Sequence, residues 1–274
     1  MEPLISVIIP SLDGKRGGNL ERLLGDIGSQ TIQDVEVIVV EGVRPCAKAH
    51  NEGARRAKGE FLVSLDDDVR IGDARLFENL IQTLRGDPSI GMAGASQHIP
   101  LAADSWQRLV AAKMPRSESP VVSAPVESDM VTHACRAIRR ELYLHLGGEN
   151  DRLLRGDDAE FKHRVRKAGY RICLAPESLV YHPLPATPKI FMRDMFRRGM
   201  GAAHDNKFHS NLIYETPYAD FSSPEERKPR SRRIVRYLTR MTGALLTGNW
   251  ILFLAFFLYL AGAAWGWIYW RKPI

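Results

Sequence analysis

Cysteine is scarce in this chain: Cys46, Cys135 and Cys173 are widely spaced and form no C-x-x-C pair. An odd, scattered set excludes a disulfide-stapled scaffold and a cysteine-built metal site, and it fits reduced, buried thiols in a cytoplasmic domain. Internal repeats are absent, which excludes solenoids and propellers. Residues 1–10 lack the basic start and the length of a signal peptide, so no leader is expected. Charge is missing altogether from Met241 to Trp270, a run of 30 residues. Acidic residues are missing from Arg227 to Arg240, where seven basic ones stand (Arg227, Lys228, Arg230, Arg232, Arg233, Arg236 and Arg240).

Those two gaps decide the broad class. The net charge is +6 and the pI about 9.3, but removing the seven clustered positives takes the net charge from +6 to −1. The rest of the chain is therefore not basic, and a nucleic-acid footprint spread over a folded face is excluded. Within the uncharged run, Trp250 to Trp270 is dense in apolar residues, and as a helix it spans about 31 Å, enough to cross a bilayer. Trp250 at one end and Trp265, Trp267, Tyr269 and Trp270 at the other fit interfacial belts. Seven positives before this helix and only Arg271 and Lys272 after it place the large N-terminal part in the cytoplasm, as a single-pass membrane protein. The basic stretch is drawn to anionic head groups.

The 274 residues are 45% hydrophobic, enough for one large or two small cores. Leu4–Ile9, Val35–Val40 and Phe61–Leu65 read as buried strands. The helices between them are one with apolar residues at Leu20, Leu23, Leu24 and Ile27, and a small-residue one over Ala47–Ala57. This alternation predicts parallel strands, with Pro10-Ser11, Glu41 and Asp66–Asp68 converging on one sheet edge. Further on, a helix is expected over Ala74–Leu84 and a strand over Ile90–Ala95. A helix around Trp106–Met114, a strand over Val131–Ile138 and a short helix over Arg140–Leu146 follow. A helix opened by Gly156-Asp-Asp-Ala-Glu160 runs through Lys167, then come strands over Tyr170–Leu174 and Ser178–Tyr181. Pro188–Gly201 alternates apolar and basic residues, as an interfacial amphipathic helix does, and Asn211–Pro229 reads as a polar linker.

Asp66, Asp67 and Asp68 end the third strand, and three adjacent carboxylates stay ionised cheaply only in water or beside a cation. Four separated pieces surround this trio in order. They are Ser6-Val-Ile-Ile-Pro10; Asn51-Glu-Gly53 with Ala57-Lys-Gly59-Glu60 and Leu65-Asp-Asp-Asp68; Arg139-Arg-Glu141 with Gly147-Gly148; and Gly156-Asp-Asp158 with Arg166-Lys-Ala-Gly-Tyr170 and Val180-Tyr-His182. From Ile5 to His182 the chain thus resembles the family 2 glycosyltransferases, whose fold is GT-A: an α/β, Rossmann-like, mostly parallel sheet with helices on both faces.

The resemblance implies that 1–95 is the nucleotide-sugar-binding half and 96–186 the acceptor-binding, catalytic half. Residues 187–212 then form the amphipathic helix region, 213–240 a polar then basic juxtamembrane linker, and 241–270 the membrane helix. It implies that Asp68 and His182 hold Mg2+ or Mn2+ and that Asp66 and Asp67 face the donor. Pro10, Ser11, Glu41, Arg44 and Asn51 line the nucleoside and phosphate side. Asp158 is the implied base, with Asp157, Arg197 and Arg198 toward the acceptor. The expected balance at Asp158 is a helix N-terminus that keeps it ionised and acidic neighbours that raise its proton affinity.

Two departures stand out: Val40-Glu-Gly-Val-Arg-Pro45 replaces the usual Asp-rich turn, and the Gln-x-x-Arg-Trp signature of polymer-extruding members is missing. The expected activity is metal-dependent, inverting transfer of one sugar from a nucleotide sugar to a lipid-linked or membrane-proximal glycan hydroxyl. A polyprenyl-phosphate acceptor, a non-catalytic tethered subunit and a nucleotidyltransferase are the alternatives.

Overall fold

A computed structural model of the chain describes residues 2–214 and 230–274. The elements in order are β1 (Ile5–Ser11), α1 (Asn19–Gly28), β2 (Val35–Glu41), α2 (Cys46–Arg56), β3 (Phe61–Leu65), β4 (Arg70–Ile71), α3 (Leu76–Gly86), β5 (Ile90–His98) and α4 (Ser105–Lys113). They continue with β6 (Val126–Glu127), β7 (Cys135–Arg139), α5 (Arg140–His145), α6 (Asp157–Lys167), β8 (Arg171–Tyr181), α7 (Pro188–Phe208), α8 (Arg230–Leu246) and α9 (Trp250–Tyr269). One sheet runs in the order β2-β1-β3-β7-β5-β8-β4, with β6 paired to β8. β1 pairs in parallel with both β2 and β3, and β5 in parallel with β8, while β7 runs antiparallel between β3 and β5.

The continuous apolar runs are buried on both faces, as a helix-covered sheet requires. Ile5, Val7, Ile9, Phe61, Val63 and Leu65 have no exposed surface. Burial of each such side chain contributes about 1.5–3 kcal/mol, so the strands that carry the edge residues are firmly held. The glycines of the second sequence piece have a packing reason. A Cβ at Gly53 would strike Ile8, and one at Gly59 would strike the backbone of Ser6, so both let α2 and its exit lie close on β1. This α/β sheet with helices on both faces is the expected fold class.

Several boundaries differ from expectation. Residues 131–134 lie outside β7. The two strands expected over 170–181 are one, β8, with a register shift opposite Gly94/Ser96 and Glu177 at φ +50 absorbing the irregularity at Pro176. α7 extends to Phe208 and packs along α9 rather than standing alone. The basic stretch of the expected 213–240 linker is helical from Arg230, and residues 215–229 lie outside the described residues. The uncharged run 241–270 is split: its start finishes α8, Gly248 turns at φ +67, and the Asn249 side chain caps α9. Gly199 abuts the Tyr259 carbonyl and Gly262 the Phe196 carbonyl, so α7 and α9 approach backbone to backbone. Both ends of α9 bond to the catalytic unit: Asn249 Nδ2 donates to Lys113 O (2.9 Å), and Trp270 Nε1 to Met200 O (2.9 Å). The expected membrane helix is present as α9, long and apolar enough to cross a bilayer, and it lies along α7.

Candidate active site

Parallel pairing puts the C-terminal ends of β1, β2, β3, β5 and β8 on one edge, where antiparallel β7 begins. Ser11 lies opposite Glu41 in the register, and the acidic trio follows Leu65 directly. The expected convergence is present. Ser11 Oγ donates to Asp67 Oδ2 at 2.7 Å, and Asn19 Nδ2 donates to the carbonyls of Asp67 (2.9 Å) and Val69 (3.1 Å), which fixes the turn. Arg16 reaches over from the loop after β1 to Asp68 (2.5 Å) and Asp67 (3.3 Å).

His182, at the end of β8, brings Nε2 to 3.3 Å from Asp68 and 3.9 Å from Asp66. Burial pushes upward on Asp68, but the hydrogen bond and charge of His182, with Arg16, hold it at about 2. Asp66 is shifted up by burial. His182 is raised because Asp68 and Asp66 outweigh its own burial. One ligand atom from each of Asp66, Asp68 and His182 falls within 4.8 Å of the others. Opposed ligands on Mg2+ stand about 4.2 Å apart, so small rotamer changes close this set on a divalent ion. Two hard carboxylates and an imidazole suit Mg2+ or Mn2+.

Asp158 sits in the first turn of α6, with Lys162 Nζ at 2.9 Å and Arg136 Nη1 at 3.3 Å. Arg136 is buried and also pairs with Glu149, whose other oxygen meets His133 Nε2 at 3.0 Å. The expected rise in the proton affinity of Asp158 is not found. Burial acts in that direction, but Lys162, His133 and Arg136 outweigh it and lower the carboxyl. The raised group is its neighbour Asp157, lifted to about 6 by burial, with Glu149 and Asp158 adding to it. The β3–β7 register aligns Ser64 with Arg136 and Leu65 with Cys135. His133 and Arg136 therefore act electrostatically on Asp66 as well as on Asp158. Both cationic side chains are thus near enough to feel Asp66 and Asp158 alike, at the same end of the sheet.

The remaining expected residues divide. Pro10 is half-buried at the end of β1, and Glu41 and Arg44 are exposed beside it, with the Glu41 carboxylate over Gly14. Arg197 and Arg198 are exposed in mid-α7, and the charge of Arg198 acts on His182. Asn51 is engaged within the protein. Its Oδ1 accepts from Tyr143 Oη (2.7 Å) and Glu149 N (2.8 Å), and its Nδ2 donates to Glu149 O (2.8 Å). Its amide thereby holds the Gly148–Glu149 turn and positions Glu149.

A second potential ligand group, His50, His133 and Glu149, lies deeper. His50 stacks on His133 at 4.8 Å, and both its ring nitrogens lack a hydrogen bond. Glu149 is already neutralised by Arg136, whose charge disfavours a further cation there. Asp205 of α7 accepts from the backbone N–H groups of Leu154 (2.8 Å), Arg155 (2.9 Å) and Gly156 (3.1 Å), and so fixes the approach to Asp157 and Asp158. Sequence reasoning missed Arg136, Glu149, His133, Lys162 and Asp205. Only Lys162, four residues after Asp158 on a helix, carried a signal.

Residues 5–201 match a family model described as Glycosyltransferase like family 2. Among curated proteins, the chain is 26% identical over 149 residues to an O-antigen biosynthesis protein, RfbC, of Myxococcus xanthus. That match covers 48% of this chain but only 12% of the relative's length. Among solved structures, the chain is similar to the mannosyltransferase PcManGT from Pyrobaculum calidifontis in complex with GDP-Man and Mn2+. The TM-score is 0.56 at 19% identity, over 96% of this chain and 76% of that one. It is also similar to GalNAc-T7 with UDP, GalNAc and Mn2+, with a TM-score of 0.52 at 14% identity, over 80% of this chain and 52% of that one. At such identities the likeness is one of fold.

Proposed function

The chain belongs to glycosyltransferase family 2 and is a glycosyltransferase, and we propose that it moves one sugar from a nucleotide-sugar donor to a hydroxyl of a lipid-linked, membrane-proximal acceptor, with inversion. One observation carries this reading: the Asp66/Asp68/His182 group stands at the sheet edge where β7 begins, and β7 there carries Arg136, the ion-pair partner of Asp158. Asp66, Asp68 and His182 would hold Mg2+ or Mn2+, and a divalent ion there neutralises the charge of the departing diphosphate. Ser11 orients Asp67, and Arg16, which caps the trio, lies where a donor phosphate would enter.

Asp158 accepts the proton of the acceptor hydroxyl as that oxygen attacks the anomeric carbon. The bond from that carbon to the diphosphate oxygen breaks on the opposite side, and the nucleoside diphosphate leaves with the electron pair. Lys162 and Arg136 keep Asp158 ionised and aimed. A phosphate acceptor would need no such base, so Asp158 favours a hydroxyl. The membrane reading rests on α9, 20 residues with mean hydropathy 2.0, and on the basic residues before it, which favour the cytoplasmic side.

The test is a panel of nucleotide sugars incubated with the full-length enzyme and assayed for nucleoside diphosphate. One donor is expected to be hydrolysed slowly, with Mg2+ or Mn2+ required. Release that EDTA leaves unchanged would remove the metal assignment, and silence across the panel would favour a non-catalytic tethered subunit.

A further inference from the structure

Arg16 stands in a strained loop between β1 and α1. It takes φ +45, and Gly14, Gly17 and Gly18 around it take +64, +61 and +86. A residue with a side chain holds such a backbone at a cost, and residues of that kind gather at ligand clamps and switches. The turn closes on itself: Asp13 Oδ1 accepts from the N–H groups of Lys15 (3.0 Å) and Arg16 (2.8 Å). A Cβ at Gly17 or Gly18 would touch nothing, so open space surrounds this part of the loop.

From here the Arg16 side chain, 52% exposed, reaches two of the three adjacent carboxylates. Its Nη2 lies 2.5 Å from Asp68 Oδ2, and its Nε 3.3 Å from Asp67 Oδ1. The other oxygen of each is engaged elsewhere: Asp68 Oδ1 faces His182 Nε2 at 3.3 Å, and Asp67 Oδ2 accepts from Ser11 Oγ at 2.7 Å. The guanidinium thus takes the remaining oxygen of both carboxylates and gives a counter-charge to a trio that repels itself. Asp68 is also one of the three residues that would hold Mg2+ or Mn2+. A divalent ion and a guanidinium on one carboxylate are like charges held close together, so each weakens the other's hold. The diphosphate that accompanies the ion offers Arg16 another partner, because guanidinium forks bind phosphate oxygens in pairs.

We propose that Arg16 is a counter-ion switch: it occupies Asp67 and Asp68 before the donor binds, competes with the divalent ion there, and swings onto the donor diphosphate when ion and nucleotide arrive together. Arg16 therefore opposes metal alone and favours metal with nucleotide, which couples the two binding events. After transfer, Arg16 returns to Asp68 as the nucleoside diphosphate departs, and it weakens the hold on the ion. This deepens the metal reading of Asp66, Asp68 and His182 and rests on it. A merely structural clip for the loop predicts that loss of Arg16 weakens both ligands; the switch predicts changes of opposite sign.

The experiment is Mn2+ binding by electron paramagnetic resonance on the full-length enzyme in detergent micelles, first without nucleotide. Arg16→Ala is expected to bind Mn2+ at least about threefold more tightly than wild type, because the competing charge is gone. Calorimetry at saturating Mn2+ then follows UDP, GDP, ADP, CDP and dTDP. At least one is expected to bind wild type, and Arg16→Ala to raise its Kd about tenfold or more. The tightening of Mn2+ by that nucleotide shrinks in the same variant. Arg16→Lys, which keeps the charge without the fork, is expected to leave Mn2+ affinity near wild type and to recover only part of the nucleotide affinity. Lys15→Ala removes an exposed cation one residue away and changes either Kd less than about twofold. Thermal melting confirms that the variants fold.

Mn2+ affinity that is unchanged or weaker in folded Arg16→Ala would overturn the proposal, because Arg16 then does not compete for Asp68. Unchanged nucleotide affinity in that variant, or binding of none of the five nucleotides to wild type, would overturn the diphosphate contact and the switch with it. Wild type that binds no Mn2+ would sink the metal assignment itself. Mn2+ binding that Arg16→Ala leaves unaltered sinks the switch alone, so the two readings fail separately.

Discussion

Asp158 is held by Lys162 and Arg136, and its depressed pKa has a definite pH consequence. A lowered carboxyl stays ionised, and so able to act as base, down to pH values below its ordinary 3.8. The base-dependent rate is then flat through mildly acidic pH and falls only below about pH 4. Asp157, raised to about 6, would give an acid limb near that value if it were the base instead. The pH profile of kcat/KM separates them: a limb near 6 that vanishes in Asp157→Asn moves the role to Asp157. With Asp158 as base, Asp158→Asn is expected to lower kcat by about 10²- to 10⁴-fold, with donor binding by calorimetry little changed. The sequence exposed Asp158 through its position at a helix start, but it misled about its acidity. The compensating charges come from Lys162 on the same helix and from Arg136 on β7, and no local pattern announces the second.

At the scale of elements, the edge strands were legible because continuous apolar runs ending in polar residues mean buried parallel strands. The β1, β2, β3 and α6 boundaries follow from that and from the acidic first turn of α6. What the sequence could not carry is the tie between distant elements. Asp205, in α7, satisfies three N–H groups ahead of α6, 49 to 51 residues earlier in the chain. Its carboxylate thereby couples the membrane-side helix to the base. Asp205→Ala leaves those donors unsatisfied and is expected to cost about 2–4 kcal/mol in urea unfolding, with a lower transfer rate. Asp205→Asn keeps one acceptor oxygen and is expected to lose less. Equal stability of wild type and Asp205→Ala would remove this coupling. The basic part of the expected 213–240 linker is helical from Arg230, for a related reason. Arginines on one face and aliphatics on the other are a helix pattern, here with the polar side inward, and the basic run masked it.

Over the whole molecule, α7, α8 and α9 form a layer beside the catalytic sheet. Only 17% of the apolar window of α9 is buried, and Trp250, Phe257, Trp265, Ile268 and Tyr269 are more than half exposed. Leaving each such side chain in water forfeits about 1.5–3 kcal/mol, so this surface seeks an apolar medium. Composition revealed that surface, but not the path of the helix, because length and hydropathy are the same for a helix that crosses a bilayer and one that lies along it. Trp270 bonds to Met200, and Ile274 N donates to His204 Nε2 at 3.3 Å, so the end of α9 stays with the catalytic unit. A cysteine replacing Lys272 in a Cys46→Ser background is therefore expected to be labelled by an impermeant maleimide from the catalytic side of sealed vesicles. Labelling from the opposite side only would make α9 a true span.

The central claim is that one sheet edge holds a divalent ion at Asp66, Asp68 and His182 within reach of Asp158. Electron paramagnetic resonance of Mn2+ titrated into the enzyme, with and without nucleoside diphosphate, tests it most directly. One Mn2+ per chain is expected, tightened by the nucleotide, nearly lost in Asp68→Ala, weakened in His182→Ala and intact in His50→Ala. Mn2+ that binds unchanged in Asp68→Ala but disappears in His50→Ala would contradict the account.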